Sequence, residues 1–375
     1  MQKHHDNYLI QLDGLRFIAV ALVLWDHWMA ERNPLPFGAM GVNLFFVLSG
    51  FLIARILIYS KEKNYDKPDG LKEYLRKFYI RRTLRIFPIY YLSLIVLWLL
   101  RDPSVRGKEL WQFLYASNIY VALQKTWLGV TDHFWSLAVE EQFYIFFPIL
   151  IFFIPRRYLV SFFVILTVLS VGLRVYFWVT GQPWYVQYVL MPTALDAFGL
   201  GALMAYLQVY HKATFERVYH NRLYLFVSLA FLFFVFYLSH EAKENGATKD
   251  QNFYINVWER LAGSVFFMFL IGGAVLGYRG WFKWVLENPV SNYLGKISYG
   301  LYVYHNFVYN FYHTPPTHPV VRLLNKLHLG PTMPDLPPYH IAKVLLLFAI
   351  TTVVAAVSWH FIEKPINDLK DKYAP

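Results

Sequence analysis

An arginine and a histidine share one face of the first apolar segment of the chain. The stretch RFIAVALVLWDHW has Arg16 at its start and His27 near its end. At about 100° per residue, the eleven-residue spacing returns to within about 20° of the same helix face, and it separates the two side chains by about 16 Å along the axis. Histidine can act as a general base, and a guanidinium group can bind an anion. The alternatives are a packing histidine and an arginine that reaches the membrane interface.

A second candidate site is the arginine cluster in FYIRRTLRIFPIYYL. Arg81, Arg82 and Arg85 are three or four residues apart, so a helix can present all of them on one side. Guanidinium groups suit bidentate binding of phosphate or carboxylate. The cluster therefore predicts an anion site at a membrane boundary, and ordinary positive-inside anchoring is the alternative.

Two adjacent carboxylates occur in DHFWSLAVEEQFYIFFP. Glu140 and Glu141 open the fourth predicted span at its outer end. They are either solvated residues that favour a helix N-terminus or a group that orients His27 at a similar depth. Only one of the two can share a face with a given partner, and the sequence leaves both possibilities open.

Further polar residues lie in other apolar segments. For each of these residues, the alternative to a functional role is a structural hydrogen bond between helices. No Gly-x-Ser-x-Gly elbow, P-loop or cluster of metal ligands is present, so no metal site is expected. The additional candidates are Asp13, Ser49, Asp196 and His305.

The composition indicates that a membrane surrounds these residues. Of the 375 residues, 57% are hydrophobic and only 16% are charged, whereas a soluble domain usually has about a quarter charged residues. The net charge of +11 is explained by membrane topology, so a nucleic-acid partner is not expected. The chain has no cysteine, which excludes disulfides and a cysteine nucleophile.

Ten segments are long enough to cross a bilayer of about 30 Å. They predict an all-α polytopic membrane protein, organised as a single integral-membrane domain over residues 1–375 without a separate soluble domain. Residues 109–124 are apolar only in patches, which predicts an interfacial or re-entrant helix. The predicted spans are 14–30, 38–57, 83–100, 139–154, 158–178, 191–209, 223–239, 258–278, 297–313 and 341–361.

The distribution of lysine and arginine predicts the orientation. Ten of these residues lie between Arg55 and Arg85, and this segment is therefore assigned to the cytoplasm. If successive connecting segments lie on alternate sides of the membrane, the inner segments contain 22 lysines and arginines and the outer segments contain nine. Both termini are expected in the cytoplasm, with a proline-rich outer loop at 314–340 and the chain embedded in the inner or plasma membrane.

Seven sequence pieces together resemble the membrane-bound acyltransferase family 3. They occur in the family's order and extend over almost the whole chain. The pieces are LDGLRFIAV with His27 eleven residues after Arg16, NLFFVLSGFLIAR, RRTLRIFPIYY, FWSLAVEEQFYIFFP, ALDAFGLGALMA, ISYGLYVYHN and FIEKP.

The resemblance implies an O-acyltransferase that uses cytoplasmic acyl-CoA, most commonly acetyl-CoA, as a co-substrate. Acceptors would be hydroxyl groups of envelope glycans, lipid-linked saccharides or small molecules. His27 matches the family's essential histidine, Arg16 its partner in the first span, and the arginine cluster the family's arginine motif. The chain ends soon after the tenth predicted span, so the esterase-like extracellular domain of longer members is not expected.

Two other classes of function remain open at this point. Ionisable residues in membrane spans are also used by carriers and flippases, although the absence of an internal repeat favours an enzyme. A non-catalytic membrane partner would tolerate replacement of the histidine and the arginines.

Labelling of introduced cysteines tests the predicted topology, because the chain has none of its own. We expect Lys67→Cys to be protected from a membrane-impermeant maleimide in intact cells and to react after permeabilisation. The control, Asn245→Cys in the predicted outer loop 240–257, should react in intact cells. Reaction of Lys67→Cys from outside would reverse the topology.

Overall fold

The structure, a computed structural model, is helical throughout the part of the chain that it describes. The described residues are 8–29, 33, 35–313, 319–327, 330 and 337–374, and no strand occurs among them. The helices are α1 Ile10–Met29, α2 Phe37–Asn64, α3 Gly70–Leu99, α4 Glu109–Phe113, α5 Ser117–Gln124, α6 Phe134–Phe153, α7 Leu159–Val179, α8 Trp184–Val189, α9 Leu195–Tyr210, α10 Lys212–His220, α11 Arg222–Glu244, α12 Glu259–Leu276, α13 Gly280–Glu287, α14 Pro289–Lys296, α15 Ser298–Tyr312, α16 Pro319–Lys326, α17 Pro337–Ser358, α18 Lys364–Asp368 and α19 Lys370–Tyr373.

Seven helical segments are long and apolar enough to cross a membrane, and the predicted class of all-α polytopic membrane protein is confirmed. The other three predicted spans correspond to α1, α9 and α15. Helices α9 and α15 are short, with 16 and 15 residues, and α1 carries three charged side chains. In the proline-rich segment 314–340, residues 314–318, 328–329 and 331–336 lie outside the described residues. The seven segments are Phe37–Asn64, Gly70–Leu99, Phe134–Phe153, Arg156–Val179, Arg222–Glu244, Tyr254–Leu276 and Ile341–Tyr373.

The segment predicted to be interfacial or re-entrant, 109–124, forms the two short helices α4 and α5. Leu110, Leu114 and Leu123 are exposed, whereas Gln112 and Asn118 are fully buried and hydrogen-bonded. Apolar side chains therefore point outward and polar ones inward, which is the reverse of a soluble surface helix and suits the edge of a bilayer.

Helices α1, α2 and α9 form the centre of the bundle and pack at close range. A side chain at Gly50 of α2 would collide with the backbone of Phe198, and one at Gly201 of α9 would collide with the carbonyl group of Val47. Small residues allow helices to approach closely in membranes. The two glycines therefore permit the close contact of α2 with α9, and this contact holds α2 in the position where it lines both cavities described below.

Candidate functional site

Two cavities lie along the helices that carry the candidate residues. We call the first the arginine cavity. It has a volume of about 180 Å³ and is lined by α1, α2, α3, α6 and α15, including Arg16, Arg82, Arg85, Glu140 and Glu141. The second, the histidine cavity, has a volume of about 670 Å³ and is lined by His27, His133 and a row of aromatic residues.

The two cavities are arranged end to end along α2 and α6. On α2, Asn43 lines the histidine cavity and Phe46 the arginine cavity, and on α6 the neighbours Trp135 and Ser136 are divided in the same way. At this end of the arginine cavity, the Tyr302 hydroxyl is hydrogen-bonded to that of Ser136. Arg16 and His27, eleven residues apart on α1, border different cavities.

The arginine cavity contains guanidinium groups with free hydrogen-bonding capacity. Arg82 lies over the rings of Phe78 and Tyr144, at 5.8 and 5.4 Å from the ring centroids. Within the described part of the chain, neither Arg82 nor Arg85 has a hydrogen bond or an ion pair. Arg16 differs, because its guanidinium donates to the buried carboxylate of Asp13. Two of the predicted arginines can thus bind an anion without breaking an existing pair.

The carboxylates of α6 face the same cavity. Ser49 donates to Glu140 over 2.6 Å, and the Tyr144 hydroxyl donates to Ser49 over 3.1 Å. Glu141 is 7% exposed, and its Oε1 has no hydrogen-bond partner among the described residues. The structure therefore brings Glu140, Glu141 and Ser49 together with the arginines.

The expectation that Glu140 or Glu141 orients His27 is not met by this geometry. The predicted span began at residue 139, but α6 begins at Phe134. Glu140 consequently lies about 9 Å further along the helix axis than its first residue, at 1.5 Å per residue. This rise moves both carboxylates from the histidine cavity to the arginine cavity, where Glu140 bonds to Ser49 instead.

Arg81 is separated from the other two arginines of its cluster. Its Nε and Nη2 donate to the carbonyl oxygen of Ala374 over 3.1 and 2.8 Å. It does not line the arginine cavity. Arg81 is one residue from Arg82 and so about 100° around α3, which turns it toward the C-terminal segment.

His27 is hydrogen-bonded to a second predicted candidate, His305 of α15. Nδ1 of His27 lies 2.7 Å from Nε2 of His305. The ring planes are inclined by 26° and the centroids are 4.9 Å apart, so the rings meet edge to edge. An imidazole N–H lies in the ring plane, and this arrangement therefore directs it at the partner nitrogen.

The tautomers of both histidines follow from one backbone carbonyl group. Nδ1 of His305 is 2.6 Å from the carbonyl oxygen of Tyr302, which can only accept, so His305 carries its hydrogen on Nδ1. Its Nε2 is then an acceptor, and His27 must donate from Nδ1. Nε2 of His27 is left with a lone pair and no partner among the described residues, which is the form that a general base requires.

Two other acidic residues have structural partners. Asp196 forms a fully buried ion pair with Arg174 at 2.7 Å and also accepts from Ser170. Asp26, which precedes His27 on α1, accepts from the side chain of Asn33 and from the backbone N–H of Gly38 at the start of α2. Both interactions join elements of the bundle, and neither leaves a free carboxylate oriented toward His27.

His133 is a site residue that the sequence analysis missed. It directly precedes α6, borders the histidine cavity and packs against His305, with ring centroids 4.8 Å apart. Its only sequence signal is its position in DHFWSLAVEEQ, at the expected start of an apolar helix. Across the described ranges, no group of three or more histidine, aspartate or glutamate residues is arranged to hold a metal ion.

Comparison with known proteins adds a family match. The profile of the acyltransferase 3 family, described as an acyltransferase domain, matches residues 9–363. A protein of Staphylococcus aureus strain COL named "Putative O-acetyltransferase" is 29% identical over 96% of this chain. O-acetyltransferase OatA of S. aureus strain NCTC 8325 is 28% identical over the same share. The chain spans 57% of the length of each of these relatives. No solved structure matches.

The tautomers can be measured by NMR on protein labelled with ¹⁵N-histidine. At alkaline pH we expect both His27 and His305 to be protonated on Nδ1, because the carbonyl of Tyr302 accepts from His305 and so fixes the direction of the hydrogen bond from His27 to His305. His305→Phe removes the acceptor and should leave His27 as a mixture of tautomers. His305→Gln keeps an oxygen near the position of Nε2 and should restore the single form; a mixture of tautomers at His27 in the native protein would contradict the assignment.

Proposed function

The chain belongs to the acyltransferase 3 family, and on this premise we propose that it transfers an acyl group, acetyl in the simplest case, from acyl-CoA to a hydroxyl group. The acceptor is a cell-envelope glycan, another carbohydrate or a small molecule. The observation that carries the proposal is the Nε2 of His27, which has no partner among the described residues; His27 lines the larger cavity, and His305 sets its tautomer.

The arginine cavity is suited to the donor. Arg82 and Arg85 offer guanidinium donors that have no partner in the part of the chain that the structure describes, and phosphate oxygens are their usual ligands. The volume of about 180 Å³ is below the 300 to 1,000 Å³ that is typical of ligand pockets, which fits a narrow thioester arm better than a whole nucleotide. Under the predicted topology this cavity is reached from the cytoplasm, where acyl-CoA is found.

His27 would act as the general base in the histidine cavity. Its Nε2 takes the proton of the acceptor hydroxyl while the oxygen attacks the thioester carbonyl carbon. When the carbon–sulfur bond breaks, the CoA thiolate leaves and takes the same proton from the imidazolium. His305 holds the ring through Nδ1 in every step, and it is therefore a positioning residue.

The end-to-end cavities agree with a reaction between two substrates that enter from opposite sides. In this proposal the acyl group passes from one cavity to the other near Ser136 and Tyr302, whose hydroxyl groups are hydrogen-bonded. CoA itself can remain on the side of the arginines. We therefore propose a multi-pass protein of the cell membrane with both termini in the cytoplasm, acylating an acceptor on the outer side.

A carrier or flippase is the competing function. Such a protein needs charged groups that can exchange partners, but Arg174 and Asp196 are fully buried and already satisfy each other, with Thr193 and Ser170 as further partners. The groups that line the two cavities include the types that acyl transfer requires: an imidazole lone pair in the histidine cavity and anion-binding donors in the arginine cavity.

Acyl transfer can be tested in proteoliposomes with radiolabelled acetyl-CoA and a mixture of envelope glycans. We expect a labelled product with the native protein and at least a 100-fold lower rate with His27→Ala, since a general base contributes about 10² to 10⁴. His220→Ala, at an exposed position of α10, is the control and should be fully active. Uptake of an envelope precursor without a covalent product would instead favour the carrier.

The role of Arg85 in binding the donor can be tested against its neighbour Arg81. Arg85→Ala should raise the KM for acetyl-CoA about tenfold or more, because a hydrogen bond to a charged group contributes about 1.5 to 3 kcal/mol. Arg81→Ala is the matched control, since Arg81 contacts the C-terminal segment and should leave this KM unchanged. The reverse result would move the donor site to the surface near Arg81.

A further inference from the structure

Two short successive helices, α13 and α14, turn large apolar side chains away from the bundle. Trp281 and Trp284 of α13 are 73% and 66% exposed, and Val290 and Tyr293 of α14 are exposed as well. In each helix the two residues are three apart and therefore share one side. We call α13 and α14 together the elbow. Its exposed apolar side chains indicate a surface that an apolar medium or a partner covers.

The opposite sides of the elbow are buried and partly polar. Leu286 of α13 is buried, and so are Ser291 and Asn292 of α14. The side chain of Asn292 donates to the carbonyl oxygen of Glu287 over 2.6 Å. Polar groups thus face the protein and apolar groups face outward, which is the reverse of a soluble surface helix. This arrangement suits contact with lipid better than contact with water.

The connections of the elbow keep it at the boundary of the membrane. Helix α13 begins four residues after the end of the membrane-crossing segment Tyr254–Leu276, and α14 ends two residues before α15. The ring centroid of Tyr278, just before α13, lies 4.4 Å from the guanidinium of Arg222, the first residue of another crossing segment. Each helix of the elbow has eight residues, about 12 Å, and is too short to cross a core of about 30 Å.

We propose that the elbow lies in the interfacial layer of the bilayer, with Trp281 and Trp284 inserted among the lipid head groups. Tryptophan favours this layer because its ring is apolar and its N–H still requires a hydrogen-bond partner. The segment 277–297 contains three basic residues and one acidic residue, which suits the phosphates of the head groups. Under the predicted topology the elbow contacts the cytoplasmic leaflet. The inference does not depend on the proposed transfer reaction.

The elbow is hydrogen-bonded to the start of α1. The side-chain amide of Gln11 donates to the carbonyl oxygen of Tyr278 over 3.1 Å and accepts from the backbone N–H of the same residue over 2.8 Å. Gln11 also donates to Glu287, near the end of α13, over 2.7 Å. The first turn of α1 therefore follows the position of the elbow.

Close backbone contacts reinforce this connection one turn before Arg16. A side chain at Gly14 would collide with the backbone of Leu286, and one at Gly295 would collide with the carbonyl group of Asp13. Asp13 also accepts from the guanidinium of Arg16, which lines the arginine cavity. Anchoring of the elbow in the interface thereby fixes the depth at which α1 presents Arg16.

The depth of the elbow can be measured with introduced cysteines, because the chain has none of its own. Trp284→Cys is labelled with an NBD fluorophore in nanodiscs. We expect strong quenching by lipids with a nitroxide near the head group, and weak quenching by a nitroxide deep in the acyl chains or by aqueous iodide. Phe234→Cys, on the exposed side of the middle of α11, is the deep control, and Lys67→Cys, in the connection between α2 and α3, is the aqueous control.

Two results of the depth measurement overturn the inference. One is quenching of Trp284→Cys by iodide without a response to either nitroxide lipid, which would place this face in water as a docking surface for a partner protein. The other is the strongest quenching by the deep nitroxide, which would place the elbow in the hydrocarbon core.

The connection to α1 can be tested by hydrogen exchange in nanodiscs. The double variant Trp281→Ser, Trp284→Ser removes the anchors, and we expect several-fold faster exchange at residues 11–16, because local opening becomes easier. The matched control is Ile165→Ser with Val168→Ser, which removes two similarly exposed apolar side chains of α7 and should leave this exchange unchanged. Unchanged exchange in the elbow variant, or equal acceleration in the control, would overturn the coupling to α1.

Discussion

A polar group inside a membrane bundle must be satisfied by the bundle itself, because hydrocarbon offers no hydrogen bonds. This constraint divides the buried polar residues into two sets. In the first, every strong donor and acceptor is used within the fold, as in the ion pair of Arg174 with Asp196 and in the contacts of Asp26 with Asn33. These residues hold helices and connecting segments together.

The second set has capacity to spare, and several of its members line the two cavities. Among the described residues, Arg82 and Arg85 have unpartnered guanidinium groups, and His27 and His133 each have one ring nitrogen without a partner. Tyr302 contacts both regions, because its carbonyl sets the tautomer of His305 while its side chain lines the arginine cavity. The position of α15 therefore affects both the basic nitrogen of His27 and the shape of the arginine cavity.

Several expectations from the sequence depended on where one helix begins or on the direction in which one residue of a helix faces. The fourth span was predicted to begin at residue 139, which placed Glu140 and Glu141 beside His27. The helix begins at Phe134, and the additional residues place both carboxylates beside the arginines. Treating the arginine cluster as one unit concealed the difference between Arg85, which lines the cavity, and Arg81, which binds the C-terminal segment. Helix ends and the facing of adjacent residues follow from packing, which the composition of a segment does not specify.

The sequence by itself determined the helical membrane class, the positions of most spans and the shared face of Arg16 and His27. These features depend on composition and on the helical repeat, which act over a few turns of one chain segment. Only the tertiary structure decided which partner each polar residue has. His27 and His305 are 278 residues apart, and His133 and Val303 are 170 apart. Such contacts result from the close packing of whole helices, so the direction of each hydrogen bond, and with it the chemistry of each nitrogen, becomes defined only when the bundle is assembled.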